Sequence, residues 1–195
     1  MIKNKEDLLF YLHEDMMRNM HVDRFNRWKY YIGIAFNDNG ALAYRFLRRL
    51  RKLEYAKNVC KDNGLIGRLY YIYCMFWHKH YCFKYDIDIR PNVVGYGLYL
   101  PHIIGGGIIC NAQSVGNYCA INVNVLLGNK GSDEIPTVGD YVDMTTGCKV
   151  IGKVKVGNHV TIAPNSVVVK DIPDNAIVVG IPAHILKYKI NDKQQ

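Results

Sequence analysis

No apolar run in this chain reaches the roughly 18–20 residues needed to cross a bilayer. The best candidate, Leu65 to Trp77, is interrupted by Arg68. The opening Met1-Ile2-Lys3-Asn4-Lys5-Glu6-Asp7 lacks the apolar core of a signal peptide. Cysteine does not form a framework. Cys60, Cys74 and Cys82 have neither disulfide nor metal-ligand spacing, and Cys110, Cys119 and Cys148 fall where a repeat wants a small residue. The cysteine usage favours a reduced setting, and the expected location is cytoplasmic. Zinc spacing, an RNP-like string and a helix-turn-helix pattern are all missing, which removes nucleic acid as a partner. His78 and His80 stand two apart, off a common helical face, and His159 and His184 lack an acidic or thiol neighbour at ligand spacing, so no metal is expected. Disorder is excluded as well, because 49% of the residues are apolar.

The formal charge of +8 is unevenly placed. Residues 1–85 hold 16 Lys and Arg against 8 Asp and Glu, whereas residues 86–195 hold 9 of each. A basic front end suits an anionic substrate, peripheral contact with an anionic membrane, or simply a solvated helical surface. Residues 1–80 read as helical, with breaks near Asn37–Gly40 and Asp62–Gly64. Ala41 to Tyr55 sets Leu42, Phe46, Leu50 and Leu53 on one side and Arg45, Arg48, Arg49, Arg51 and Lys52 on the other positions, an amphipathic helix with a basic face. The aromatic stretch Leu65 to Trp77 is expected to pack, on an open turn of the following domain or on a partner subunit; docking on a membrane is the alternative.

From Ile103 the chain repeats in sixes. Ile103, Ile109, Val115, Ile121 and Leu127 are followed, after an interruption, by Val138, Met144, Val150, Val156, Ile162 and Val168. A small or β-branched residue stands four beyond most of them, as at Cys119, Val142, Val160 and Ser166. Neither the helical nor the strand period is six. Six fits a solenoid in which each hexad forms one flat side and three close a triangular turn. The aliphatic anchors then stack inside, and the adjacent Gly116, Gly139 and Gly157 are expected to relax the corners. The fold class is mainly β: a parallel β-helix with an N-terminal α-helical region. Residues 1–84 form the helical region, 85–187 the solenoid and 188–195 a tail. The basic segment after Gly180-Ile181-Pro182-Ala183 is expected to be helical. A polar loop, Gly128 to Pro136, adds five residues to the period and must leave the wall, where functional groups often sit.

Asp88-Ile89-Arg90-Pro91, His102, Leu127-Gly128-Asn129, Gly147-Cys148-Lys149-Val150-Ile151-Gly152, Asn165-Ser166-Val167-Val168 and Gly180-Ile181-Pro182-Ala183 resemble the motifs of the hexapeptide-repeat acyltransferases, in particular the serine acetyltransferase-like branch. The resemblance covers about half of the chain. It implies a left-handed parallel β-helix, a homotrimer or a dimer of trimers, and acetyl-CoA as co-substrate between neighbouring prisms. By the same resemblance His102 is the general base that takes a proton from an attacking hydroxyl. Asp88, 14 residues upstream, is expected to hold the other imidazole nitrogen. Gly128 or Gly147 offers an amide to the tetrahedral oxyanion. Asn129, Lys130, Thr146, Gly147, Ala163 and Pro164 lie along the expected CoA path, and Lys130, Lys170 or Lys187 is placed to meet its phosphates.

Two positions depart from the serine enzymes. Pro101 stands where they have Asp before the histidine, and the loop ends Glu134-Ile135-Pro136 rather than Arg-His-Pro. Burying zwitterionic serine without partners would cost several kcal/mol. The expectation is therefore a neutral acceptor, a sugar hydroxyl in surface-polysaccharide synthesis, with Tyr96 and Tyr99 as its platform. L-serine as acceptor and a non-catalytic scaffold are the alternatives.

Overall fold

The structure, a computed structural model, describes residues 1–131 and 134–189. Its front end is helical: α1 (Lys5–Met20), α2 (Arg27–Ala35), α3 (Asn39–Tyr55), a π-helical turn at Ala56–Cys60, and α4 (Gly64–Tyr85). Short polar residues start the first three. Asn4, Asn26 and Asp38 accept hydrogen bonds from the orphan amides of Asp7, Lys29 and Ala41 at 2.8, 3.0 and 2.8 Å.

Five turns of solenoid follow. The first has β1 (Ile87–Ile89) and single bridges at Val94 and Tyr99. The second has β2 (Ile108–Cys110), β3 (Ser114–Val115) and β4 (Ala120–Ile121); the third has β5 (Leu126–Gly128), β6 (Thr137–Val138) and β7 (Asp143–Met144). The fourth has β8 (Lys149–Ile151), β9 (Lys155–Val156) and β10 (Thr161–Ile162). The fifth has β11 (Val167–Val168), a bridge at Ile172 and β12 (Ala176–Val179), after which comes β13 (His184–Tyr188). Pairing from turn to turn is parallel and makes three faces: β1-β2-β5-β8-β11, then β3-β6-β9, then β4-β7-β10-β12. On the first face Ile89, Cys110, Leu127, Val150 and Val168 lie in register and are buried. Each such aliphatic residue removed from water stabilises the stack by about 1.5–3 kcal/mol. The thiols of Cys110, Cys119 and Cys148 stack among them, and burial pushes them up to about 12, 11 and 12.

Four local expectations change. Ile109 is 50% exposed, and its neighbours Ile108 and Cys110 point inward. Only five residues separate inward Cys110 from inward Val115, so the beat slips by one at the second turn. The corner glycines act by closeness rather than by left-handed backbone. A Cβ on Gly139 would lie 2.8 Å from the backbone of Gly157, one turn below, whereas the left-handed residues are Tyr118, Tyr141 and His159 two positions later. The segment after Ala183 is strand β13, antiparallel to β12, because the turn at Gly180–Ala183 folds it back onto the sheet. Finally, the aromatic stretch divides: Cys74 is buried with Tyr70 and Tyr71 packed beside it, whereas Leu65, Ile66, Leu69, Ile72 and Phe76 are exposed on this chain. α4 meets the first turn further along, where His78 Nε2 lies 3.0 Å from the Ile89 carbonyl oxygen.

That cap is polar. A solenoid's first turn has no preceding turn to satisfy its backbone. Asp15 and Asn19 of α1 accept from the amides of Leu98 (3.2 Å) and Leu100 (3.1 Å), and Asn19 Nδ2 donates to the Leu98 carbonyl at 2.7 Å. Glu54 accepts from the amide of Asn92 at 2.8 Å. Arg51, expected on the basic face of α3, is instead wholly buried: it pairs with Asp15 (2.8 Å) and Glu54 (3.0 Å) and donates to the carbonyls of Val94 and Gly95. Burial alone lowers its pKa, and the two carboxylates more than reverse this, so the guanidinium stays charged.

Candidate active site

The edge between the third face and the first is assembled from one short segment per turn. Ten residues separate Tyr99 from Ile109, where six separate their partners Ala120 and Leu126. The surplus, around His102 to Gly105, bulges from the edge, and buried Ile103 pins it inward. Positive φ at Gly105 and Gly107 lets the bulge rejoin β2. Below it the edge continues straight. Asn124 N donates to the Gly106 carbonyl (2.6 Å), Gly147 N to that of Val123 (3.0 Å) and Asn165 N to that of Thr146 (3.0 Å). His102, Thr146, Gly147, Ala163 and Pro164 therefore share one edge of the prism.

His102 is exposed, and among the described residues no hydrogen bond ties up its ring. An imidazole so placed is open to an incoming hydroxyl. Asp88 does not engage it: its carboxylate lies 3.7 Å from Lys79 Nζ of α4, both groups being well exposed, and no hydrogen bond joins it to His102. Such an exposed pair is weak and easily exchanged. Of the two glycine amides, that of Gly147 is already committed to Val123.

Gly128, Asn129 and Lys130 lie elsewhere. Eleven residues separate Leu127 from Val138, where six separate their partners Val150 and Val156, and the five extra residues form the protruding loop. Gly128 is buried at the end of β5 and its carbonyl accepts from Gly152 N at 3.0 Å. Asn129 Nδ2 donates to the Gly131 carbonyl at 2.9 Å, and the Lys130 amide donates to the Glu134 carbonyl at 3.3 Å. This loop leaves the first face at its far edge, across β5 and β8 from His102. Ser132 and Asp133 of the loop lie outside the described residues. A single chain thus presents the histidine and the loop at opposite edges of one face.

The sequence reading gave no hint of a cleft of about 940 Å³ between α1, α2 and the first turn, lined by Asn19, Trp28, Ile32, Asp38, Tyr99 and Pro101. It ends one residue short of His102. Of the two expected platform residues only Tyr99 lines it; Tyr96 packs instead against Phe10 and Tyr118, its ring centre 4.9 and 5.2 Å from theirs. The caps Asn26 and Asp38 set the starts of α2 and α3 at its rim.

No family model matches the chain. It is 38% identical over 104 residues to a serine acetyltransferase of Mycobacterium tuberculosis, covering 51% of this chain and 45% of that protein. It is 36% identical over 105 residues to one from Staphylococcus aureus, covering 52% and 49%. The matches thus span about half of the chain and under half of each relative. Among solved structures, serine acetyltransferase of Neisseria gonorrhoeae in complex with serine superposes with a TM-score of 0.62 at 25% identity, covering 92% of this chain and 69% of that one. Serine acetyltransferase of Brucella abortus in complex with coenzyme A gives 0.68 at 22%, covering 95% and 70%.

These likenesses overturn the sugar acceptor expected from Pro101 and Ile135, because the relatives are serine acetyltransferases. That expectation assumed that the solenoid alone would hold the acceptor's charges. Instead Pro101 lines a cleft shared with the helical region, so two solenoid positions do not decide the acceptor. In sequence over about half its length, and in fold over nearly all of it, the chain is similar to the serine acetyltransferases among the hexapeptide-repeat, left-handed β-helix acyltransferases.

Proposed function

We propose that this protein is an acetyl-CoA-dependent O-acetyltransferase acting on the hydroxyl of L-serine, with His102 as general base. The serine acetyltransferase likeness carries the reading, and the open, exposed ring of His102 on the straight edge supports it. An alcohol attacks a thioester poorly until its proton leaves, and a positioned imidazole typically contributes 10²–10⁴-fold. In this scheme His102 accepts the hydroxyl proton as the oxygen bonds to the thioester carbonyl carbon. The tetrahedral intermediate then collapses, the carbon–sulfur bond breaks, and the imidazolium returns the proton to the departing CoA thiolate. The Gly128 amide is one candidate donor to the oxyanion. In this scheme Asp88 would first have to leave Lys79, a contact that costs little to break, before its carboxylate could turn to the imidazolium.

The separation of the two edges favours a site completed between copies. If copies assemble side by side as a trimer, the loop at Asn129 and Lys130 of one would face the edge at His102, Thr146 and Pro164 of the next, with acetyl-CoA between them. The test is release of CoA thiol from acetyl-CoA with L-serine by the purified chain. His102→Ala is expected to lose about 10²–10⁴ of that rate with unchanged thermal stability, since the side chain is exposed. Undiminished turnover would remove the mechanism, and failure of L-serine to stimulate CoA release would remove the acceptor.

A further inference from the structure

α3 carries a second set of cations that, unlike Arg51, meets no carboxylate among the described residues. Among the described residues the ion pairs are Arg51–Asp15, Arg51–Glu54 and Lys79–Asp88. Arg45, Arg48, Arg49 and Lys52 make none, yet all four line one groove of about 310 Å³ where α2 and α4 flank α3. Aromatic rings hold the three arginines: the Arg48 guanidinium lies 5.4 Å from the Tyr30 ring centre, and Arg45 and Arg49 lie 5.1 and 5.8 Å from that of Tyr81. A ring satisfies the flat of a guanidinium and leaves its N–H edges as donors. Arg45 Nη2 donates to the Tyr85 hydroxyl, and its buried Nε has no partner among the described residues.

The grouping strains the fold electrostatically. Burial, followed by Arg48 and Arg49, holds the Lys52 ammonium below the ordinary lysine range. Four half-buried like charges oppose folding unless something negative joins them. One carboxylate would neutralise a single cation, whereas a phosphoryl group brings up to two charges and three acceptor oxygens suited to guanidinium forks.

We propose that this groove binds a phosphate-bearing ligand whose oxygens accept from Arg45, Arg48, Arg49 and Lys52. None of its residues belongs to the prism edge assigned to acetyl transfer, so this site stands or falls independently of that chemistry.

Thermal unfolding of the full chain with inorganic pyrophosphate, at fixed ionic strength, tests it. A saturable rise in Tm is expected, together with a change in tryptophan emission, because Arg49 lies 5.2 Å from the Trp77 ring centre and would turn toward the anion. The double variant Arg48→Gln, Arg49→Gln is expected to weaken pyrophosphate binding at least tenfold. Lys52→Met is expected to raise Tm without pyrophosphate, by relieving repulsion, and to weaken binding; it carries the test if the double variant does not fold. Binding to phosphatidylglycerol vesicles but not to pyrophosphate would assign the ligand to a lipid headgroup, and binding to pyrophosphate would assign it to a soluble compound. Binding to neither beyond a sodium chloride control, or undiminished affinity in the variants, would overturn the proposal.

Discussion

The second to fifth turns of the solenoid and its first turn solve the same problem by different chemistry. Inside the stack, each turn's amides and carbonyls meet those of the next turn, and the side chains beneath are aliphatic or thiol. The first turn has a neighbour on one side only, and on its open side Asp15, Asn19, Arg51 and Glu54 supply the missing partners. The difference teaches that repetition stabilises by many equal increments, whereas the end of a repeat concentrates its stability in a few charged groups. Those groups are costly to bury and more costly to leave unpaired.

The largest effect is therefore expected at the cap. Arg51→Met leaves Asp15 and Glu54 buried without their cation and is expected to cost about 3–5 kcal/mol, read as a lower urea midpoint. A cost within 1 kcal/mol would show that the junction is held by packing alone. Inside the stack, Leu127→Ala removes one wholly buried anchor and is expected to cost about 2–5 kcal/mol, according to how far the turns close over the cavity. A smaller loss is expected along the corner ladder, where Asp140 Oδ1 accepts from the Asn117 amide at 2.7 Å and Asn158 Oδ1 from the Asp140 amide at 2.9 Å. Asn158→Ala leaves one amide without its acceptor, at about 1 kcal/mol. The smallest effect concerns pH at the last rung. Hydrogen bonds from Asn158, first its amide, hold the exposed Asp174 carboxyl below the usual carboxylate range. Its contribution is present above the unfolded pKa and lost as pH falls through the lower folded value. Asp174→Asn is expected to flatten that acid limb of the stability curve, and an unchanged limb would show that the ladder is not titrated.

The helical front end shows the same contrast at single residues. The period of α3 separated Leu42, Phe46 and Leu50 from the arginines, and these three are indeed buried. Periodicity could not tell Arg51 from Arg48, although one is sealed against the first turn and the other lines an open groove. The functional reading divides similarly. The motifs around His102 and Gly147 were legible because the edge they stand on is built from one short segment per turn. The cleft beside Pro101 was not, because it joins residues 19 to 40 with residues 99 to 101. An acceptor inferred from the solenoid alone was therefore wrong.

By itself the sequence determined the period of six, hence the turn length and the three faces, because stacking equal turns requires equal spacing. Tertiary structure alone decided which way Ile109 faces, that the segment after Ala183 returns as a strand, and which cations are neutralised. Those outcomes depend on contacts between segments far apart in the chain, and no local spacing records them.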